Sequence, residues 1–279
     1  MRPAPGRLGA RGRRLGSAEV VPQSWIVAVG DELLSGHTLD GNSSWLAATL
    51  SRGPYPCSRI VVVPDRVDAI AQELLEAARG PARRIFCCGG LGPTPDDRTM
   101  AGVARMLGVG LVVSPEALHR IRERVASRFA QGRSPSPEPN PGTLKMALVP
   151  DGAELLANPV GGAPPLAIRL GASTLDRWLF VLPGVPLELR SVVEQEVLPR
   201  FFAARRGRRH YQELRFSGLP ESIFFPALTE LEAHHPRASF GSYPQEGGQL
   251  VIRVSAPSAQ LLARAVSDLR RLAPAGSSS

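Results

Sequence analysis

Two adjacent carboxylates, Asp96 and Asp97, follow three closely spaced glycines, Gly89, Gly90 and Gly92, within residues 84–99, RIFCCGGLGPTPDDRT. Glycines at this density let the backbone turn sharply and approach a ligand with no Cβ in the way. A helix opening just after them presents free N–H groups where phosphate binds favourably. Carboxylates beside a phosphate repel it unless a cation lies between, and magnesium is held by one or two carboxylates plus phosphate oxygens. The pattern points to a phosphate-bearing ligand with a divalent cation. The bland alternative is that both acids only cap a helix and favour its dipole. Neither of two other phosphate motifs is present: Pro95 stands where GxGxxG needs its third small residue, and no Gly-Lys-Ser/Thr follows.

A second group, Gly30, Asp31 and Glu32, closes an apolar run at 25–29 and places two acids at a strand's end. In an open α/β sheet that edge is where ligands bind. Downstream, Asp40 and Asn42 are ambiguous between capping and ligand contact, and His37 reads as a loop residue rather than a base. Lys145 is the only lysine in the chain, either a phosphate-directed ammonium or a surface residue. Glu188 is either an acid of a helix's first turn or a ligand group.

These groups need a scaffold of strands that end in turns. Residues 85–88 form a short uncharged apolar run, as in a buried parallel strand. Thr94 is placed as a helix N-cap, Pro95 at the first helical position and Asp97 at the third, with Met100, Val103, Ala104 and Leu107 on the inner face and Gly108 closing the helix. Strands are expected at 25–29, 59–63, 111–113, 166–170 and 178–182, the last two as a hairpin. Helices are expected at 67–78, from Pro115, from Asn42 or Ser43, and beyond Pro186 with Leu187, Leu189, Val192, Val193 and Val197 inward. Strand and helix alternate as in a doubly wound, mostly parallel sheet with right-handed crossovers. Residues 131–142, QGRSPSPEPNPG, have too many prolines for regular structure and read as an exposed loop, a potential lid. After Arg209 the pattern changes to strands at 213–216 and 250–254 and helices at 221–233 and 258–272, a small α+β unit.

The 279 residues therefore divide into a basic extension at 1–23 expected to be disordered, an α/β domain at 24–204, the small domain at 210–272 and a disordered tail at 273–279. No apolar run is long enough to span a bilayer, which predicts a cytoplasmic protein without membrane partners. Cys57, Cys87 and Cys88 fit reduced core residues better than disulfides or metal ligands. The net charge of +8 gathers in the first 22 residues and around 200–209. Neither cluster is interleaved with aromatics, so it reads as solvated surface rather than a nucleic-acid site.

The pieces GDELLSGHTLDGN (30–42), GGLGPTPDDRT (89–99), NPVGG (158–162) and LPGVPLEL (182–189), in that order, resemble the molybdopterin-binding-like (MoaB/Mog-like) domain of CinA proteins and of eukaryotic FAD synthases. Residues 210–272 resemble the small KH-like domain that follows it in CinA, and the nicotinamide-nucleotide amidase part of longer CinA proteins is not expected. The resemblance implies a homodimer, a nucleotide substrate and metal-dependent hydrolysis of a pyrophosphate bond in ADP-ribose or FAD, releasing AMP, with magnesium, manganese or cobalt. It implies substrate contacts at Gly30, Glu32, Asn42, Gly89, Gly90, Gly92, Pro93, Thr94, Asn158, Gly184 and Glu188. Asp97, Asp96 and Asp31 are the implied metal ligands, and Asp97, Asp31 and Lys145 the implied catalytic groups. A binding module without turnover and a molybdopterin adenylyltransferase are the alternatives. Two places depart from the family pattern: Thr143 stands where Asn is usual, and Gly162-Ala163-Pro164-Pro165 replaces Thr-Ala-Pro-Gly. Pro165 removes an N–H and fixes φ.

Overall fold

The structure, a computed structural model, describes residues 22–51, 53–171, 176–202 and 209–274. In chain order, β1 (Gln23–Val29) leads through a single helical turn, α1 (Asp31–Leu34), into α2 (Gly41–Leu50). Then come β2 (Cys57–Val63), α3 (Val67–Arg79), β3 (Ala82–Cys88), α4 (Thr99–Leu107), β4 (Leu111–Val113), α5 (Pro115–Ala130) and α6 (Pro141–Lys145). Three further short strands, β5 (Leu148–Pro150), β6 (Glu154–Leu155) and β7 (Leu166–Arg169), precede β8 (Trp178–Leu182). A long helix then runs as α7 (Pro186–Val192), a π-helical turn (Val193–Val197) and α8 (Leu198–Phe201).

The main sheet has the order β2-β1-β3-β8-β7-β6, parallel from β2 to β8 and antiparallel at β7 and β6. β1 and β3, whose runs 25–29 and 85–88 are apolar, lie inside the sheet, where both faces are covered, while β2 at the edge alternates over most of its length. Helices α3 and α4 pack Ile70, Leu74 and Val103 on one face against Val27, Ile85 and Cys87. On the other face, Leu46, Leu50, Leu189 and Val193 pack against Ile26, Phe86, Cys88 and Phe180. This is the doubly wound α/β fold expected from the alternation. Cys87 and Cys88 point into opposite layers, and burial pushes the Cys87 thiol up to about 12. Among the described residues no helix is long and apolar enough to cross a membrane.

Several local expectations are corrected. The helix after the glycines starts at Thr99, with Arg98 rather than Thr94 at its N-cap. Thr94 lies between Pro93 and Pro95, and a residue before proline is pushed out of the α region. Gly108 does close that helix in the left-handed conformation. Asp40, not Asn42 or Ser43, caps α2 by accepting from Ser43 N at 2.9 Å. The segment 111–113 is not in the main sheet; its three exposed residues pair antiparallel with β5, which sequence reading missed along with β6. Leu187 lies outward at 68% exposure, because Pro186 sets the helix start so that Leu189 and Val192 take the inner face. The expectations for 1–21 and for 275–279 lie outside the described residues.

The C-terminal unit contains β9 (His210–Ser217), a 3-10 turn (Glu221–Phe224), α9 (Phe225–His234), β10 (Ser239–Gln245), β11 (Gln249–Ala256) and α10 (Ala259–Leu272). Its separate antiparallel sheet, β10-β11-β9, buries Leu214, Phe216, Ile252 and Val254 against Leu231, Val266 and Leu269 of the helices. The strand β10 was not expected, since SFGSYPQ has no apolar alternation.

One charge lies deep in the α/β domain. Arg84, 2% exposed, donates to the Asp176 carboxylate at 2.7 Å, the Tyr55 hydroxyl at 3.0 Å and the Phe201 carbonyl at 3.0 Å, with its guanidinium 4.2 Å from the Tyr55 ring centre. It ties the start of β3 to the end of α8. Replacing it by alanine strands these acceptors and leaves a void, so Arg84→Ala is expected to lower stability by about 3 kcal/mol in a urea titration.

Candidate functional site

The registers Val29↔Val63, Ala28↔Cys88 and Cys88↔Leu182 bring the carboxyl ends of β1, β2, β3 and β8 to one edge. The loops leaving them line a cavity of about 800 Å³. At its floor the backbone of Gly89 has φ 107° and Gly90 φ 65°. A Cβ on Gly89 would stand 2.3 Å from the Val29 carbonyl oxygen, so a side chain there would force the two strand ends apart. Gly89 N donates to Leu182 O at 3.0 Å, and Gly184 lies directly against Gly89. Asn42, at the start of α2, completes the junction by donating Nδ2 to Gly184 O at 2.7 Å.

The turn that follows is closed by its own acid. Asp97 N donates to Thr94 O at 3.2 Å, while the Asp97 carboxylate accepts from Thr94 N at 2.9 Å and from the Thr94 hydroxyl. That carboxylate lies over Gly92, where a Cβ would meet it at 2.7 Å. Lys145 holds the turn from behind, donating Nζ to Thr94 O and, at 2.6 Å, to Asp97 O. The helical turn that carries Lys145 is capped by Asn140, which accepts from Thr143 N and Oγ1, each at 2.9 Å. The backbone N–H groups of Gly90, Leu91 and Gly92, on the cavity wall, have no partner among the described residues.

Acids gather on one side. Glu32, Asp65, Asp96 and Asp97 line the cavity, and Asp65 Oδ2 accepts from Asp31 N at 2.9 Å. Burial raises the Asp65 carboxyl above the usual range, and the charges of Asp31, Glu32 and Asp96 raise it further. The polar Thr94 hydroxyl nearby, the Asp96 backbone N–H and the charges of Lys145 and Arg98 hold the Asp96 carboxyl below that range. Sequence reading missed Asp65, which stands two residues past the end of β2; the signal was its place at a parallel strand's carboxyl end.

The two weaker motifs meet each other. Asn158 donates Nδ2 to Glu188 at 2.7 Å and to Ala163 O at 2.8 Å, and its Oδ1 accepts from Gly161 N at 2.9 Å. The Glu188 carboxylate fills the space a Cβ on Gly161 would need. A further stretch of the wall comes from α5 and the proline-rich loop, with Arg124, Arg128 and Arg133. None of these arginines was singled out from sequence, although Arg124 and Arg128 share a helical face at i, i+4 spacing.

The cavity thus brings together Gly30, Glu32, Asn42, Gly89, Gly90, Gly92, Pro93, Asp96, Asp97, Gly184 and Glu188. Asp31, Thr94, Lys145 and Asn158 do not line it; each supports a residue that does. Of the two departures, Thr143 lies on the wall, whereas Pro165 is buried behind it. Among the described residues no three acid, histidine or cysteine side chains converge as a metal-ligand set. The acids present are hard oxygen donors, and magnesium needs only one or two of them when phosphate oxygens complete its shell, so the donor set fits a cation brought in with a phosphate ligand.

Residues 25–203 match the family described as a probable molybdopterin-binding domain. The chain belongs to that family. A protein of Aeropyrum pernix is 39% identical over 247 residues, covering 88% of this chain and 86% of its own. A CinA-like protein of Myxococcus xanthus is 39% identical over 221 residues, covering 77% of this chain and 50% of its own. A solved structure of the CinA protein of Thermoplasma acidophilum is similar at TM-score 0.55 and 29% identity, over 64% of this chain and 97% of that one. Together these make the chain a CinA-type member of the molybdopterin-binding-domain family.

The raised Asp65 carboxyl has a consequence for stability. A carboxyl raised in the fold favours folding while protonated, and that contribution is lost as pH rises through its raised value. Asp65→Asn, which keeps an oxygen for Asp31 N, should therefore gain thermal stability relative to the parent as pH rises above the ordinary carboxylate range. Melting curves of the metal-free protein at successive pH values check it.

Proposed function

We propose that this CinA-type chain binds a nucleotide with a phosphoanhydride link, of the ADP-ribose or FAD class, and hydrolyses that link to release AMP with the help of a divalent cation. The observation that carries the reading is the cavity itself, where unpartnered amides of the glycine turn stand beside Asp96, Glu32 and Asp65 at the carboxyl ends of the parallel strands. The amides of Gly90, Leu91 and Gly92 bind phosphate oxygens and offset charge that develops on them. Asp96, with Glu32 or Asp65, holds the cation, which when bound neutralises phosphate charge and lowers the pKa of a water. Asp97 and Lys145 keep the turn in shape from within and from behind.

One observation favours a second reading, a binding module for a nucleotide or molybdopterin-type ligand without turnover. The Asp97 carboxylate is committed to Thr94, which leaves fewer free carboxylates beside the glycines.

Incubation with ADP-ribose or FAD and magnesium, manganese or cobalt, followed by chromatography, separates the readings. The hydrolase reading expects AMP that disappears with chelator and falls by about a hundredfold in Asp96→Asn. Full activity in that variant removes the cation role of Asp96. Tight binding by calorimetry with no AMP supports the module, and product formation only in the presence of ATP and a pterin supports adenylyl transfer.

A further inference from the structure

The arginine wall of the cavity has no role in the chemistry above, and its charges are unbalanced. Along α5, Arg120 is paired with Glu116, but one and two turns later Arg124 and Arg128 have no carboxylate partner among the described residues, nor has Arg133. Glu138 is the one acid that the proline-rich loop adds to the cavity lining.

This wall is built rather than incidental. Arg133 N donates to Arg128 O at 2.8 Å, so the loop leaves the helix with the two guanidinium-bearing residues held together. Arg124 is anchored by Nη2 to Val160 O at 2.8 Å, and its Nε is buried with no partner. Its shaft passes Gly162 so closely that a Cβ there would already touch Arg124 Cδ at 3.4 Å. Gly162, which packs against this arginine, is one of the positions where this chain departs from the pattern it resembles. Three arginines without a carboxylate partner among the described residues give this wall an excess of positive charge that can take an anion of its own. Several guanidinium forks lining one cavity suit a dianion with three oxygens better than a singly charged carboxylate, which one fork satisfies.

We infer that Arg128 and Arg133, with Arg124 behind them, form a second anion subsite that selects a nucleotide carrying a phosphomonoester in addition to the phosphate at the glycine turn. The inference rests on the cavity being a nucleotide site. Its ligand is therefore of the nucleoside bisphosphate class, with one phosphate toward the amides of the glycine turn and the other toward the arginines.

Calorimetry on the full chain with AMP, adenosine 2′,5′-bisphosphate and adenosine 3′,5′-bisphosphate tests it. At least one bisphosphate is expected to bind about tenfold or more tightly than AMP, and the double variant Arg128→Ala/Arg133→Ala should bring that ratio close to one. Both side chains are exposed, and a melting curve verifies that the variant is folded. A ratio near one for both bisphosphates in the parent protein, or a ratio that survives in the variant, overturns the subsite while leaving the nucleotide reading intact. Failure of all three probes to bind the parent overturns both.

Discussion

The domain depends on how closely three strand ends can approach one another. β1, β3 and β8 finish side by side, and the chain leaving β3 must pass between the other two before it can turn outward. It does so at Gly89, whose missing side chain lets the Val29 carbonyl and the Gly184 backbone lie directly against it. Two hydrogen bonds lock the junction, one from Gly89 N to Leu182 O and one from the Asn42 side chain to Gly184 O. A methyl group at 89 would spread the strands and with them every loop of the cavity. The buried Arg84 does a related job at the other end of β3, binding it to the end of α8.

The loops that leave this junction are arranged by charge. Glu32, Asp65, Asp96 and Asp97 come from the turns after β1, β2 and β3, Glu188 from α7, and the arginines, with Glu138, from α5 and the loop beyond it. The glycine turn shares the same lining and exposes amides. Such a division suits a ligand with more than one anionic group better than a compact one. A cation offsets repulsion on the acid side, and guanidinium groups bind directly on the other. Lys145 and Asn158 show how much of the apparatus is indirect. Each carries a polar group of the kind that contacts ligands, yet each spends it on the shape of a neighbouring turn.

Much of this was legible in the chain. The apolar runs 25–29 and 85–88 marked β1 and β3 as strands, the second as a buried parallel one, because a strand covered on both faces can be apolar at successive positions. Glycines, an acid pair and a strand end marked the cavity floor, because those residue types have few other reasons to occur together. Less legible were features that depend on direction. Thr94 and Asp97 stand at the right spacing for a capping box, and the acid does reach back to Thr94 N, but the chain only turns there and the helix begins at Thr99. β4 looked like a sheet strand because it is apolar, and only its partner β5 shows that it belongs elsewhere.

By itself the sequence determined the fold class, the alternation of the longer strands and helices and the glycine-and-acid turn, since each follows from local periodicity and from residue types with narrow conformational uses. Tertiary structure alone decided which acids and bases face the cavity. Asp65 entered through the register of β2 with β1, Asp31 and Lys145 turned to support, and Arg124, Arg128 and Arg133 arrived from a helix far along the chain. The reason is that facing is set by strand register and helix rotation, which are fixed by packing across the whole core and not by the neighbours of any one residue.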